Sequence, residues 1–111
     1  MLTEKTMHTF FGCNFPIFLF GCGGVAHLRD IGFDVFDDIV DHSYDSIENP
    51  FDRIITAIDS NKHLLTNGAL VKDQWRACQS RFASNINVAK TITTYYQQRA
   101  QQIWNKLHWV E

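Results

Sequence analysis

Residues 9–26 contain no charged side chain, a stretch as long as a membrane-spanning helix. Gly12, Asn14, Pro16, Gly21, Gly23 and Gly24 interrupt it. Glycine and proline mark turns and helix ends, so the stretch divides into helix end, turn, strand and turn. Membrane insertion is not expected, and Glu4 beside Lys5 makes a poor export leader. The central piece, Phe15-Pro16-Ile17-Phe18-Leu19-Phe20, is continuously apolar and closed by Gly21. Such a run suits a strand buried on both faces, as in a parallel sheet. Pro16 fits the first position of that strand, where a missing N–H is tolerated.

With 111 residues, the chain has room for one domain of ordinary size. It divides by pattern into an α/β portion, residues 1–60, and a helical portion, residues 61–111. Apolar residues make up 45% of the sequence, enough for a core and too many for a disordered chain. The net charge of −2 gives no bulk attraction to nucleic acid or to a membrane surface. Cys13, Cys22 and Cys78 are an odd number without metal-ligand spacing, which suits reduced thiols in a cytoplasmic protein.

Thr3 reads as an N-cap, with Glu4 in the first turn of a helix where its charge suits the dipole. Met7, Phe10 and Phe11 form its apolar side, and Gly12 and Asn14 end it. Gly23 and Gly24 lead into a second helix with Val25, Leu28 and Ile31 inward and Gly32 just past its end. Residues 33–36 suit a short second strand, and residues 41–48 look irregular. Asn49 caps a helix that has Pro50 in its first turn and an apolar face of Ile54, Ile55 and Ile58. Thr66-Asn67-Gly68 is a turn. Beyond it, Trp75, Cys78, Phe82 and Ile86 step at helical spacing. Val88, Ile92, Tyr95, Tyr96, Ile103 and Leu107 continue in a new phase. Either a break near Ser84-Asn85 or one long curved helix accounts for the change. Trp104 and Trp109 make the end richly aromatic, so it is expected to dock on the body or on a partner.

Gly21-x-Gly23-x-x-Ala26 follows the expected strand and opens the expected helix. Glycines in that context let a backbone approach a phosphate at a helix N-terminus. The same glycines also suit a turn that needs them for its own geometry. Glu4 and Lys5 in the first turn of a helix can hold a ribose and a phosphate, but taken alone they fit better a capped helix start with surface charges. Asp34, Asp37, Asp38, Asp41 and Asp45 recur at roughly helical spacing but match no calcium loop, so a solvated face is expected and no metal. His8, His27, His42, His63 and His108 show no ligand spacing.

Several of these motifs occur in a recognisable order. Thr3-Glu4-Lys5-Thr6 is followed by Phe15-Pro16-Ile17-Phe18-Leu19-Phe20-Gly21, then by Leu28-Arg29-Asp30-Ile31-Gly32-Phe33-Asp34-Val35-Phe36. Asp41-His42-Ser43-Tyr44-Asp45 and Arg53 complete the series. The series resembles the C-terminal, nucleotide-sugar-binding part of glycosyltransferase-like proteins common in phages and some bacteria. The Thr-Glu-Lys helix start is also similar to that of fucosyltransferase-type enzymes with two Rossmann lobes. The resemblance covers about half of the chain. It implies that Glu4 and Lys5 face nucleotide ribose and diphosphate, with Gly21, Gly23 and Gly24 beside the same pocket. Asp41, Tyr44 and Asp45 would brace the adjoining loop. His42 stands where the family usually has Glu.

The expected architecture is therefore α/β: a small, mostly parallel sheet, part of a Rossmann-like lobe, with a large helical C-terminal segment. The resemblance implies a strongly truncated lobe, without the acceptor lobe or the first strands. Transfer chemistry needs a cleft between two lobes, so the expected role is a binding module, not catalytic alone, with a nucleotide or nucleotide sugar as ligand and no cofactor. The alternative is a small phage-type inhibitor that acts by protein–protein contact or by sequestering a nucleotide signal. Either role places the chain in the cytoplasm of a bacterial host cell. A homo-oligomer or a protein partner is expected to cover the open sheet edge and the Trp104/Trp109 tail.

Overall fold

The computed structural model describes residues 4–19 and 21–108. Six α-helices follow one another: α1 (Glu4–Phe11), α2 (Gly24–Ile31), α3 (Pro50–Ser60), α4 (Lys62–Leu65), α5 (Gly68–Ala77) and α6 (Gln79–His108), with a 3-10 turn at Ser43–Ser46 before α3. Among the described residues there is no strand. The expected α/β lobe with its parallel sheet is thus corrected to an all-helical fold, and no open sheet edge remains to be covered.

Both apolar segments taken for strands lie in the core, but neither pairs with another. Phe15, Ile17 and Phe18 thread between helices. The N–H of Phe18 donates to the phenolic oxygen of Tyr44 at 2.8 Å, a side chain and not a neighbouring strand. Residues 33–36 run beside α6. There the Asn85 side chain accepts from the N–H of Asp34 and donates to its C=O, both at 2.8 Å. One amide side chain thereby supplies the two bonds that an adjacent strand would give. The segment then ends at Phe36, whose φ of 61° turns the chain into the left-handed region, where non-glycine residues are uncommon. A continuous apolar run requires burial on all sides, and burial among helices meets that requirement as well as a sheet does.

Asn61 repeats the device. Its Oδ1 accepts from the N–H of Asp41, and its Nδ2 donates to the carbonyls of Asp41 and Ala57 at 2.8–2.9 Å. Asn61 and Asn85 are 0% and 2% exposed, so neither amide has water to fall back on. The connection between α2 and α3 is therefore held at one point by each asparagine.

Two apolar clusters flank this connection. Phe10, Phe18, Val25, Leu28, Phe33, Val35, Tyr44, Ala57 and Ala89 form the first, with Phe10 stacked on Phe33 at a ring separation of 3.8 Å. Phe36, Ile39, Val40, Cys78 and Phe82 form the second, and Ile17 packs against both. Arg81 lies over the Phe36 ring and reaches Asp34 and Asp38 at the surface.

Many local signals are realised. Asn49 Oδ1 accepts from the N–H groups of Phe51 and Asp52, with Pro50 leading α3. Gly32 ends α2 with φ 116°, and the N–H of Phe33 returns to the Leu28 carbonyl, as in a Schellman motif. Asn67 caps α5. Of the two expectations for this region the long helix is the one realised: α6 runs unbroken through Ser84-Asn85, and the helical break falls at Cys78.

At 30 residues, α6 is about 45 Å long. Its first half packs on α1 and the core, where Phe82, Asn85 and Ala89 are buried. From residue 94 to residue 107 every side chain is exposed. The protein is consequently elongated, 61 × 34 × 18 Å. Its radius of gyration is 17.2 Å, against about 13 Å for a compact chain of this length.

Replacing Asn85 or Asn61 by Ala leaves the part-buried N–H and C=O of one residue without their partners. Each substitution is expected to destabilise the fold by about 2–3 kcal/mol, read as a lowered urea midpoint with an unchanged slope.

Candidate functional site

The glycine turn expected to cradle a phosphate does open α2. Gly23 adopts φ 79°, and the N–H groups of the helix start point at an anion. That anion belongs to the protein. Asp45 Oδ1 accepts from the N–H of Val25 at 2.9 Å, and its Oδ2 accepts from the N–H of Ala26 at 3.0 Å. Its backbone carbonyl accepts from the N–H of Gly23 at 2.8 Å. Asp45 is buried, and its carboxylate takes the place at the helix dipole that a phosphate would occupy. Gly21 and Gly23 are half-buried and Gly24 is buried in this closed turn.

Next to Asp45, Tyr44 begins a hydrogen-bonded relay. A carbonyl only accepts, so the 2.6 Å contact between His42 Nε2 and the Val35 oxygen requires a proton on Nε2. In the neutral ring, Nδ1 then accepts from the Tyr44 hydroxyl at 2.9 Å. The Tyr44 oxygen in turn accepts from the Phe18 N–H. The relay joins three segments through one fully buried phenol. Burial pushes that phenol up to about 12. Its role is to tie the connection together, which leaves it no hydrogen for a ligand.

Asp41 is exposed and receives the Ser43 N–H at 2.9 Å. Hydrogen bonds from Ser43 hold its carboxyl below the usual carboxylate range. The rest of the aspartate series does not form the expected helical face, because residues 32–42 are turn and loop. Asp37 makes a two-pronged pair with Arg29, and Asp34 and Asp38 share Arg81. Bonds from Arg81 lower both of those carboxyls. An open depression of about 500 Å³ lies here, bordered by Arg29, Asp37, Asp38, Asp41 and His63. Its wall is acidic, and its one arginine is already paired, so it repels a diphosphate. Among the described residues no group of three or more His, Cys, Asp or Glu could hold a metal ion.

Glu4 and Lys5 open α1 as expected, but their side chains, with Thr3, Phe20 and Trp109, lie outside the described residues. No described helix is long and apolar enough to cross a membrane.

Two exposed apolar surfaces stand out instead. On α3 the inward residues are Arg53 and Ala57, and Arg53 donates to the carbonyls of Ile47 and Glu48. This turns Phe51 (77% exposed) and the apolar face of Ile54, Ile55 and Ile58 to the outside. On the outer half of α6, Tyr96, Ile103, Trp104 and Leu107 are all more than half exposed or at that mark. Spacing alone showed that both faces were apolar. It could not show which side met the core.

Comparison with protein-family models, with curated proteins and with solved structures finds no match for this chain. The resemblance to glycosyltransferase-like proteins therefore rests on the sequence motifs alone.

The Tyr44 phenol gives the fold a predicted alkaline limit. An unfolded tyrosine titrates near 10.0 and the folded one near 12. Between these values only the unfolded state loses the proton, so stability falls as pH rises, by about 3 kcal/mol in all. Tyr44→Phe is expected to be less stable at pH 8 and to lack this part of the alkaline fall. Denaturation curves of both proteins from pH 8 to pH 12 provide the check.

Proposed function

We propose that the chain is a protein-binding module that presents the outer half of α6 as a recognition helix and works by contact with another protein. One observation carries this reading. The stripe that α6 buries against the body at Phe82, Asn85, Ala89 and Ile92 continues outward as the exposed residues Tyr96, Ala100, Ile103 and Leu107. Spacings of four, three and four residues are those by which an amphipathic helix anchors in an apolar groove. A set of large side chains this size on one face marks an interaction surface more often than a solvated one. A small inhibitor acting by protein–protein contact is the form of activity that such a helix serves.

Ile103→Ser with Leu107→Ser is expected to move the thermal midpoint by less than about 4 °C, because neither side chain supports the core. A photo-reactive residue at position 103, on the stripe, should yield a covalent adduct in producing cells. The same residue at position 105, on the opposite side of the helix, should not. Absence of any adduct at 103 would remove α6 as the recognition element.

A second reading as a nucleotide-sugar-binding module rests on the Thr-Glu-Lys-Thr sequence motif, of which Glu4, Lys5 and Thr6 fall in α1. Titration calorimetry with UDP, GDP and their sugars tests it. Under that reading Lys5→Ala weakens binding by about 1.5–3 kcal/mol, and heat-silent titrations with every nucleotide would end it.

A further inference from the structure

α6 carries Arg81, Lys90, Arg99 and Lys106 and no acidic residue. The net charge of −2 therefore lies wholly outside this helix, and the rest of the chain is more acidic than that figure conveys. Arg81 is engaged with Asp34 and Asp38, whereas Arg99 and Lys106 are exposed on the outer half. At about 100° per residue both lie on one flank of the Tyr96, Ala100, Ile103 and Leu107 stripe. On α3, Asp52 and Asp59 occupy one flank of the exposed Phe51, Ile55 and Ile58 stripe. Asp59 reaches Lys62 at 3.2 Å, but both are largely exposed, so that pair is worth little and is readily exchanged.

The two surfaces complement each other in three respects. Each offers large apolar side chains at spacings of three and four. One flank is basic and the other acidic. In both, the flanking charges stand seven residues apart, so a single register matches Arg99 with Asp52 and Lys106 with Asp59. When the helices run parallel, the acidic flank of one meets the basic flank of the other, as at the flanking positions of a coiled coil. Pairing α6 with a second α6, or α3 with a second α3, offers the charges no opposite partner.

Resting on the reading of α6 as a recognition helix, we infer that its partner is a second copy of this chain, with the outer half of α6 lying along α3 of the other copy. Each copy owns one surface of each kind. Reciprocal exchange about a two-fold axis therefore covers both surfaces in both copies and closes the assembly.

Sedimentation equilibrium from 1 to 100 µM, concentrations on the scale of modest affinity, tests this inference. The wild-type chain should approach twice its mass of 12.9 kDa. Asp52→Lys with Asp59→Lys makes both surfaces basic, and Arg99→Glu with Lys106→Glu makes both acidic. Each double variant alone should associate more than about tenfold more weakly, with unchanged circular dichroism. An equal mixture of the two should recover the dimer. A monomeric wild-type chain, a dimer surviving in either variant, or a mixture that stays monomeric would overturn the inference. An adduct from position 103 to a different protein, with a monomeric wild-type chain, would overturn self-association and leave the recognition helix standing. No adduct would remove both.

Discussion

Two buried carboxamides carry the organisation of this protein. A long connection between helices brings peptide N–H and C=O groups into partial burial against the core, where each unpaired group is costly. Asn85 satisfies both groups of Asp34, and Asn61 satisfies both groups of Asp41. Asparagine suits this task because its amide has a donor and an acceptor side by side, the pattern that an adjoining strand would offer. Asn85 sits on α6 and Asn61 at the junction of α3 and α4, so the two clasps fix the connection against both halves of the helical scaffold. The phenol relay from Phe18 through Tyr44 and His42 to Val35 adds a third tie from within.

That arrangement explains what could be read from the sequence and what could not. Local signals were legible because their physics is local. Asn49-Pro50, Gly32 and Asn67-Gly68 set caps and turns through neighbouring peptide groups, and the structure places them as read. The apolar runs at residues 15–20 and 33–36 showed that burial was needed, but not what would surround them. Asn85 looked like a weak point in a helix. Its value comes from a residue 51 positions away, which no local pattern reveals. The same holds for Asp45, whose carboxylate closes the start of a helix 19 to 20 positions earlier.

The candidate site was legible only as a geometry. Glycines at the start of α2 do build an anion-binding turn, and the protein fills that turn with its own carboxylate. An aspartate inside the motif series that resembled a nucleotide site is thus itself the anion bound in the turn. The isoleucines of α3 show a parallel limit. A stripe of apolar residues shows that a helix has two faces, but on α3 it is a buried arginine held by two carbonyls, and not the stripe, that lies on the inner face.

Anchorage at one end only gives α6 a gradient of stability along its length. Up to Ala89 its inner face is buried in the core. From residue 94 to residue 107 every side chain is exposed. A segment of that length is marginal in water by itself and holds its turns largely because the preceding ones are already formed. For a helix so placed, unwinding is expected to begin in the exposed half before the core opens. A partner that covered the stripe would draw on this reserve: it would stiffen the outer turns, and through the continuous helix that added order would extend toward Asn85 and the connection it holds.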